Sequence, residues 1–207
     1  MRKREILNWA ERRMKSAKAE PYECGYRYHH GLRVAAIAVW LGKGMDFSRS
    51  QLDVMYVAGV LHDIGKTGRG GNDLHGSRGA ATIRRNLGQW LSPQEMEKVC
   101  AMVAHHYERP RSSWYKGKGK ALPRWPKEIL VIQDADILDH HGCMEVWGAI
   151  LYARKDALSP VEMLGAYREE WKMERAEAMR SLNFEASRKE LRRRFNAADT
   201  FWKELKE

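Results

Sequence analysis

Apolar residues recur along this chain at intervals of three and four, and no stretch longer than a few residues alternates apolar and polar with β-branched enrichment. Such spacing lines apolar side chains along one stripe of a helix. An all-α fold of roughly seven to nine helices is therefore expected, and 207 residues suit a single domain, 1–207. With 43% hydrophobic and 31% charged residues, the chain falls outside the disordered, collagen-like and membrane classes. No apolar run approaches the roughly 18 residues of a membrane span. The opening MRKREILNWAERRMK lacks the apolar core and cleavage site of a signal peptide, so a cytoplasmic protein with no membrane partner is expected. Cys24, Cys100 and Cys143 are too far apart for a CxxC site and read as small buried hydrophobes.

The first helix is short and basic, over 5–18. The second, over 28–42, places His30, Val34, Ile37 and Leu41 on one face before Gly42-Lys43-Gly44. Ser48 and Gln51 have the spacing of a capping box and open a third helix that runs to a stop at Gly65. A fourth covers 76–87. Ser92-Pro93-Gln94-Glu95 supplies an N-cap, a proline at the first position and an acid at the third for a fifth, which ends at Ala104-His105-His106. Pro126 opens a sixth through Asp139, and 144–207 reads as two or three charged amphipathic helices. In the last of these, Leu191, Phe195, Ala198, Trp202 and Leu205 share a face that packs on the body or on a second subunit, so a homodimer is one expectation.

Residues 107–126 form one long connection in which Arg109, Arg111, Lys116, Lys118, Lys120 and Arg124 alternate with Tyr107, Trp114, Tyr115 and Trp125. Cations interleaved with aromatic rings suit phosphate contact and base stacking. The formal net charge of +10 likewise favours anionic partners, whether nucleotides, phosphorylated metabolites or nucleic acid.

Two acidic intrusions break the apolar pattern. Val57-Ala58-Gly59-Val60-Leu61 ends in His62 and Asp63, and in the sixth helix Asp136 and Asp139 share a face with Ile129 and Ile132. A buried carboxylate is costly unless it is paired or holds a cation. His30, His62, Asp63 and Asp136 together make a mixed N/O set suited to one divalent ion such as Mn, Fe, Mg, Co or Zn. His75, His105 and His106 could hold a second ion with Asp63 bridging, the arrangement of two-metal phosphoryl hydrolysis. His29, His140 and His141 are read as surface or supporting residues.

These residues resemble a family. His30-x-x-Arg33-Val34, then His62-Asp63-Ile64-Gly65-Lys66, then Ala135-Asp136-Ile137-Leu138 resemble the ordered His, His-Asp, Asp signature of the HD-domain metal-dependent phosphohydrolases, of HDIG type. The resemblance implies a core over 28–147 and a helical extension over 148–207 packed on it. His75-Gly-Ser-Arg-Gly-Ala80 and Ala104-His105-His106 are similar to the extra histidines of dinuclear subgroups, which include HD-GYP phosphodiesterases and bacterial dinucleoside tetraphosphate hydrolases. No GYP tripeptide follows His106, which argues against cyclic-di-GMP as substrate. Asp134-Ala-Asp136-Ile-Leu-Asp139-His-His-Gly142 resembles a branch of small bacterial HD proteins that hydrolyse nucleoside triphosphates.

The resemblance implies a metal-activated water attacking phosphorus, with a phosphorylated small molecule, a nucleotide foremost, as substrate. Asp63, Lys66 and Asp139 are the catalytic candidates, Asp139 or Asp134 orienting a ligating histidine or the water. Arg33, Lys66, Arg109 and Arg111 are candidates for holding phosphates. Two other readings stay open: a di-iron oxygenase of the HD type, and a nucleic-acid-binding module built on the basic connection with a structural metal.

Overall fold

A computed structural model describes residues 1–17, 22, 24–67, 74–113 and 124–205, without the side chains of 166–170. Among them are nine α-helices and one 3-10 turn: α1 (Lys3–Met14), α2 (Tyr26–Lys43), α3 (Arg49–Leu61), the turn Ile64–Lys66, α4 (His75–Asn86), α5 (Pro93–His105), α6 (Lys127–Asp139), α7 (Cys143–Lys155), α8 (Pro160–Ser181) and α9 (Glu185–Glu204). The fold is all-α. None of these helices is long and apolar enough to cross a membrane.

The expected capping box of Ser48 with Gln51 is closed, the expected N-cap Ser92 and the acid Glu95 close another, and a third forms at Ser159 and Glu162 where α8 begins. Each satisfies two amide donors that a helix start leaves open. The third helix stops at Leu61, short of Gly65. Asp63, at φ −96° and ψ 7°, turns the chain into the 3-10 segment, so His62 and Asp63 stand at a break rather than inside a helix.

α2 packs on α3 and α6, and α4 packs on α5 and the 3-10 turn. The α2–α3 contact is main chain against main chain. A Cβ at Gly31 would lie 2.5 Å from Val60 O, and one at Gly59 would lie 2.7 Å from Ala35 Cα. Any side chain there would force the helices apart. The buried stripe of α2 therefore runs through Gly31, Val34, Ala35, Ala38 and Leu41, with Ile37 at its edge. α6 is central and buried on all sides from Val131 to Asp139, as expected of a helix without a wet face.

A main core joins α1 to α6 with Leu182 and Leu191, and a smaller cluster of Ala149, Ala153, Met163, Ala198 and Trp202 joins α7, α8 and α9. Leu191, Ala198 and Trp202 are buried as the spacing of α9 predicts, but Leu205 is exposed, because it caps the helix beyond its last packed turn. Cys100 is buried, whereas Cys24 and Cys143 are exposed. Each of these two sits at the start of a helix rather than on its packed side.

Candidate metal centre

The close approach of α2 to α3 brings His30 against His62, their Nε2 atoms 3.1 Å apart. From α6, Asp136 Oδ1 lies 3.1 Å from His30 Nε2 and 3.5 Å from His62 Nε2. Asp63 joins His30 and His62 in one candidate ligand group, and Asp136 joins His62 and His106 in another. On its other side, Asp63 Oδ1 lies 3.6 Å from both His75 Nε2 and His106 Nε2. α4 starts at His75 hard against the 3-10 turn, and His106 caps the end of α5. One carboxylate thus faces two neighbouring groups of candidate ligands, with all of these side chains buried.

The donor chemistry fits cations. His30 Nδ1 lies 2.7 Å from Asp139 Oδ2, His62 Nδ1 lies 2.7 Å from Gly59 O, and His106 Nδ1 lies 2.8 Å from Val103 O. Each acceptor fixes the ring proton on Nδ1 and turns the Nε2 lone pair inward. Lone pairs then confront each other between His30 and His62, and His75 Nε2 meets His106 Nε2 at 2.9 Å. A proton or a metal ion between them removes the repulsion. Asp63 Oδ1 is buried, lies 2.9 Å from the Lys66 ammonium, and faces the Nε2 atoms of His62, His75 and His106 at 3.6 to 3.7 Å, beyond hydrogen-bond reach; a cation among them would complete its coordination. Donor atoms about 2.1 Å from a divalent ion stand roughly 3.0 to 3.5 Å from one another, close to the spacing found here. The His/Asp cluster could therefore hold a divalent ion.

Among the described residues, four cations surround the acids. Lys66 Nζ lies 2.9 Å and Arg27 Nη1 3.5 Å from Asp63, Arg109 Nη2 donates to Asp136 at 2.6 Å, and Arg33 Nε donates to Asp139 at 2.9 Å. Burial pushes the Asp63 carboxyl up, but His62, His106 and Lys66 outweigh it and hold it well below the usual range. Asp136 is driven the same way, its burial outweighed by His140, His30 and His62. Burial opposes charge on His30, yet its bonds to Asp136 and Asp139 raise it to about 9. Burial lowers His106, which leaves it neutral and free to offer a lone pair. Among the described residues, three guanidinium atoms, Arg27 Nε, Arg33 Nη2 and Arg109 Nε, are buried without a hydrogen-bond partner.

Of the expected residues, the structure brings His30, His62, Asp63, His75, His106 and Asp136 together, with Asp139, Lys66, Arg33 and Arg109 around them. It does not bring His105. That ring stacks on Trp125 with centroids 4.1 Å apart, and its Nδ1 lies 3.0 Å from Glu108 Oε1. Neighbouring residues at a helix end point about 100° apart, and here it is His106 that faces inward. Arg111 donates to Leu182 O at 3.3 Å, away from the cluster. Asp134 turns to the opposite side of α6 and accepts from Asn183 N and Phe184 N at the start of α9, which removes it from the orienting role. Trp114, Tyr115, Lys116, Lys118 and Lys120 lie outside the described residues, and with them most of the expected nucleic-acid surface.

Two neighbours were not singled out from sequence. Arg27 reaches Asp63; its position three residues before His30, on the same helical face, was the available signal. His140 lies 3.5 Å from Asp136 Oδ1 and against the His30 ring at 4.9 Å, and it forms a further ligand group with them. Its spacing of four from Asp136 marks the same face.

The family model described as HD domain matches residues 27–140. The chain has no sequence match among curated proteins. Among solved structures it is similar to Bacillus subtilis YpgQ in complex with ADP, at 17% identity over 98% of this chain and 95% of that one, with a TM-score of 0.62. An HD-superfamily hydrolase from Bacillus thuringiensis shares 15% identity over 98% and 94%, at 0.64. A predicted HD-superfamily hydrolase from an uncultured Thermotogales bacterium shares 18% over 98% and 90%, at 0.63.

Proposed function

Because the chain belongs to the HD domain family, we propose that it is a metal-dependent phosphohydrolase that cleaves a nucleotide or a related phosphate ester or anhydride with water. The observation that carries this reading is Asp63 Oδ1, buried and flanked by the Nε2 atoms of His62, His75 and His106 at 3.6 to 3.7 Å, a spacing that suits ligands around an ion. His30, His62, Asp63 and Asp136 would hold one divalent ion, and Asp63, His75 and His106 a second. Such ions lower the pKa of bound water and offset charge on phosphoryl oxygens.

The chain's own residues supply the rest. Asp139 keeps the His30 proton on Nδ1 and is itself steadied by Arg33. Lys66, paired with both Asp63 oxygens, and Arg27, beside Oδ2, stand where a phosphate oxygen would approach. The unpartnered donors of Arg27, Arg33 and Arg109 suit anionic oxygens, to which planar guanidinium binds well. YpgQ, similar in fold, is known in complex with ADP, which supports a nucleotide as ligand.

The test is release of phosphate and pyrophosphate from a panel of nucleotides with Mn²⁺, Mg²⁺, Co²⁺ or Fe²⁺, comparing wild type with Asp63→Ala. Metal-dependent release that disappears in the variant is expected. No release with any metal, or equal release from the variant, would refute the proposal.

A further inference from the structure

Beside the metal cluster lies a cavity of about 740 Å³, walled by the end of α6, by α7 and by α8. That size falls in the range of small-molecule sites, roughly 300 to 1,000 Å³. Arg109 and His140 line it, and both also reach Asp136, at 2.6 and 3.5 Å. Two residues thus border both the cavity and the acid where phosphates would be held.

The rest of the lining differs in character. Tyr22, Tyr152 and Trp171 contribute aromatic surface. Tyr22 is held in place by a face-to-face stack on Tyr26 at 3.9 Å, and Tyr26 in turn parallels the His30 ring at 5.8 Å. Tyr152, 40% exposed, stands edge-on to Tyr22 at 6.2 Å. The charges here are acidic or already paired: Glu145 lies 2.7 Å from Arg175 and 3.3 Å from His141. A phosphate gains nothing at this end, whereas a flat, uncharged ring gains aromatic contact. The two ends thus sort a substrate that is anionic at one extremity and aromatic at the other.

We infer that this cavity receives the nucleoside of the substrate, with Tyr22 and Tyr152 against the base, so that the substrate is a nucleoside polyphosphate rather than an inorganic polyphosphate or a phosphorylated sugar. The inference rests on the hydrolase reading for the phosphate end, while the aromatic end can be tested separately. Tyr152→Ala and Tyr22→Ala are compared with wild type on ATP, on GTP and on inorganic tripolyphosphate. Loss of a base-stacking ring is expected to lower kcat/KM for the nucleotides about tenfold, through KM, and to leave tripolyphosphate within about twofold.

Equal falls on all three substrates, or no fall on the nucleotides, would overturn the nucleoside cavity and leave the hydrolase reading standing. Should the wild type cleave none of them, the hydrolase reading fails, and calorimetry with ADP and with pyrophosphate decides on the cavity. ADP binding weakened in Tyr152→Ala, with pyrophosphate binding kept, would uphold it. ADP bound equally by both proteins, or by neither, would overturn it.

Discussion

Glu177 is a buried carboxylate with no part in the metal cluster, and its removal tests the packing of α8 against the arm that carries Arg109. It accepts from Ser113 N at 2.8 Å, Ser113 Oγ at 2.6 Å, Arg180 Nη1 at 2.9 Å and Ser181 Oγ at 3.2 Å. Burial pushes its pKa up, but the bonds from Ser113, Ser112 and Ser181 prevail and hold it at about 2, against an ordinary 4.5. At about 1.4 kcal/mol per unit, that depression corresponds to roughly 3 kcal/mol of folding stability. Since the folded pKa lies below the unfolded one, this contribution is complete above the unfolded value and is lost as pH falls through the folded one. Urea unfolding of wild type and Glu177→Gln should therefore differ by roughly 3 kcal/mol at pH 7 and by about 1.4 kcal/mol at pH 3. A gap of the same size at both pH values would show that the charge is not its origin. No gap at pH 7 would show that the bonds to Ser113 are not made in solution.

Gly31→Val should destabilise the protein by at least about 2 kcal/mol, because its Cβ would meet Val60 O at 2.5 Å; an unchanged urea midpoint would refute the backbone contact. His106→Ala should lose bound metal by elemental analysis while His105→Ala keeps the wild-type content, and the reverse result would contradict the assigned orientations. Asp139→Asn should weaken metal affinity about 10- to 100-fold by loosening the Nδ1 proton of His30, and wild-type affinity by isothermal titration would count against that role. Saturating metal, at about 100 times its Kd, should raise unfolding free energy by about 2.7 kcal/mol, with no rise in Asp63→Ala.

Local signals in the sequence carried much of the site. His30, His62, Asp63 and Asp136 were legible because polar residues interrupted apolar stripes, and a helix periodicity tells which interruptions share a face. The capping boxes at Ser48 and Ser92 were legible because their chemistry is complete within four residues. Orientation at helix ends was not. Whether His105 or His106 turns inward depends on where α5 stops and on Gln133 donating to His105 O and Glu108 O, a contact made 25 or more residues away. Asp134 and Asp136 look alike in sequence, but lying two apart on a helix buried all round, they serve opposite sides. The break after Leu61 was also hidden, since Gly65 ends the segment only by letting α4 press on it, where a Cβ would lie 1.9 Å from His75 O.

The glycine-to-backbone contacts between α2 and α3 have a practical consequence for anyone redesigning the molecule. The separation of His30 from His62 is gauged by main-chain atoms at Gly31 and Gly59, not by the bulk of core side chains. Engineers can therefore vary the apolar residues of α1 and α9, or rebuild the Trp171–Trp202 cluster, to harden the protein against heat without changing the spacing of His30 and His62. Altering the gauge itself would need only one added methyl group.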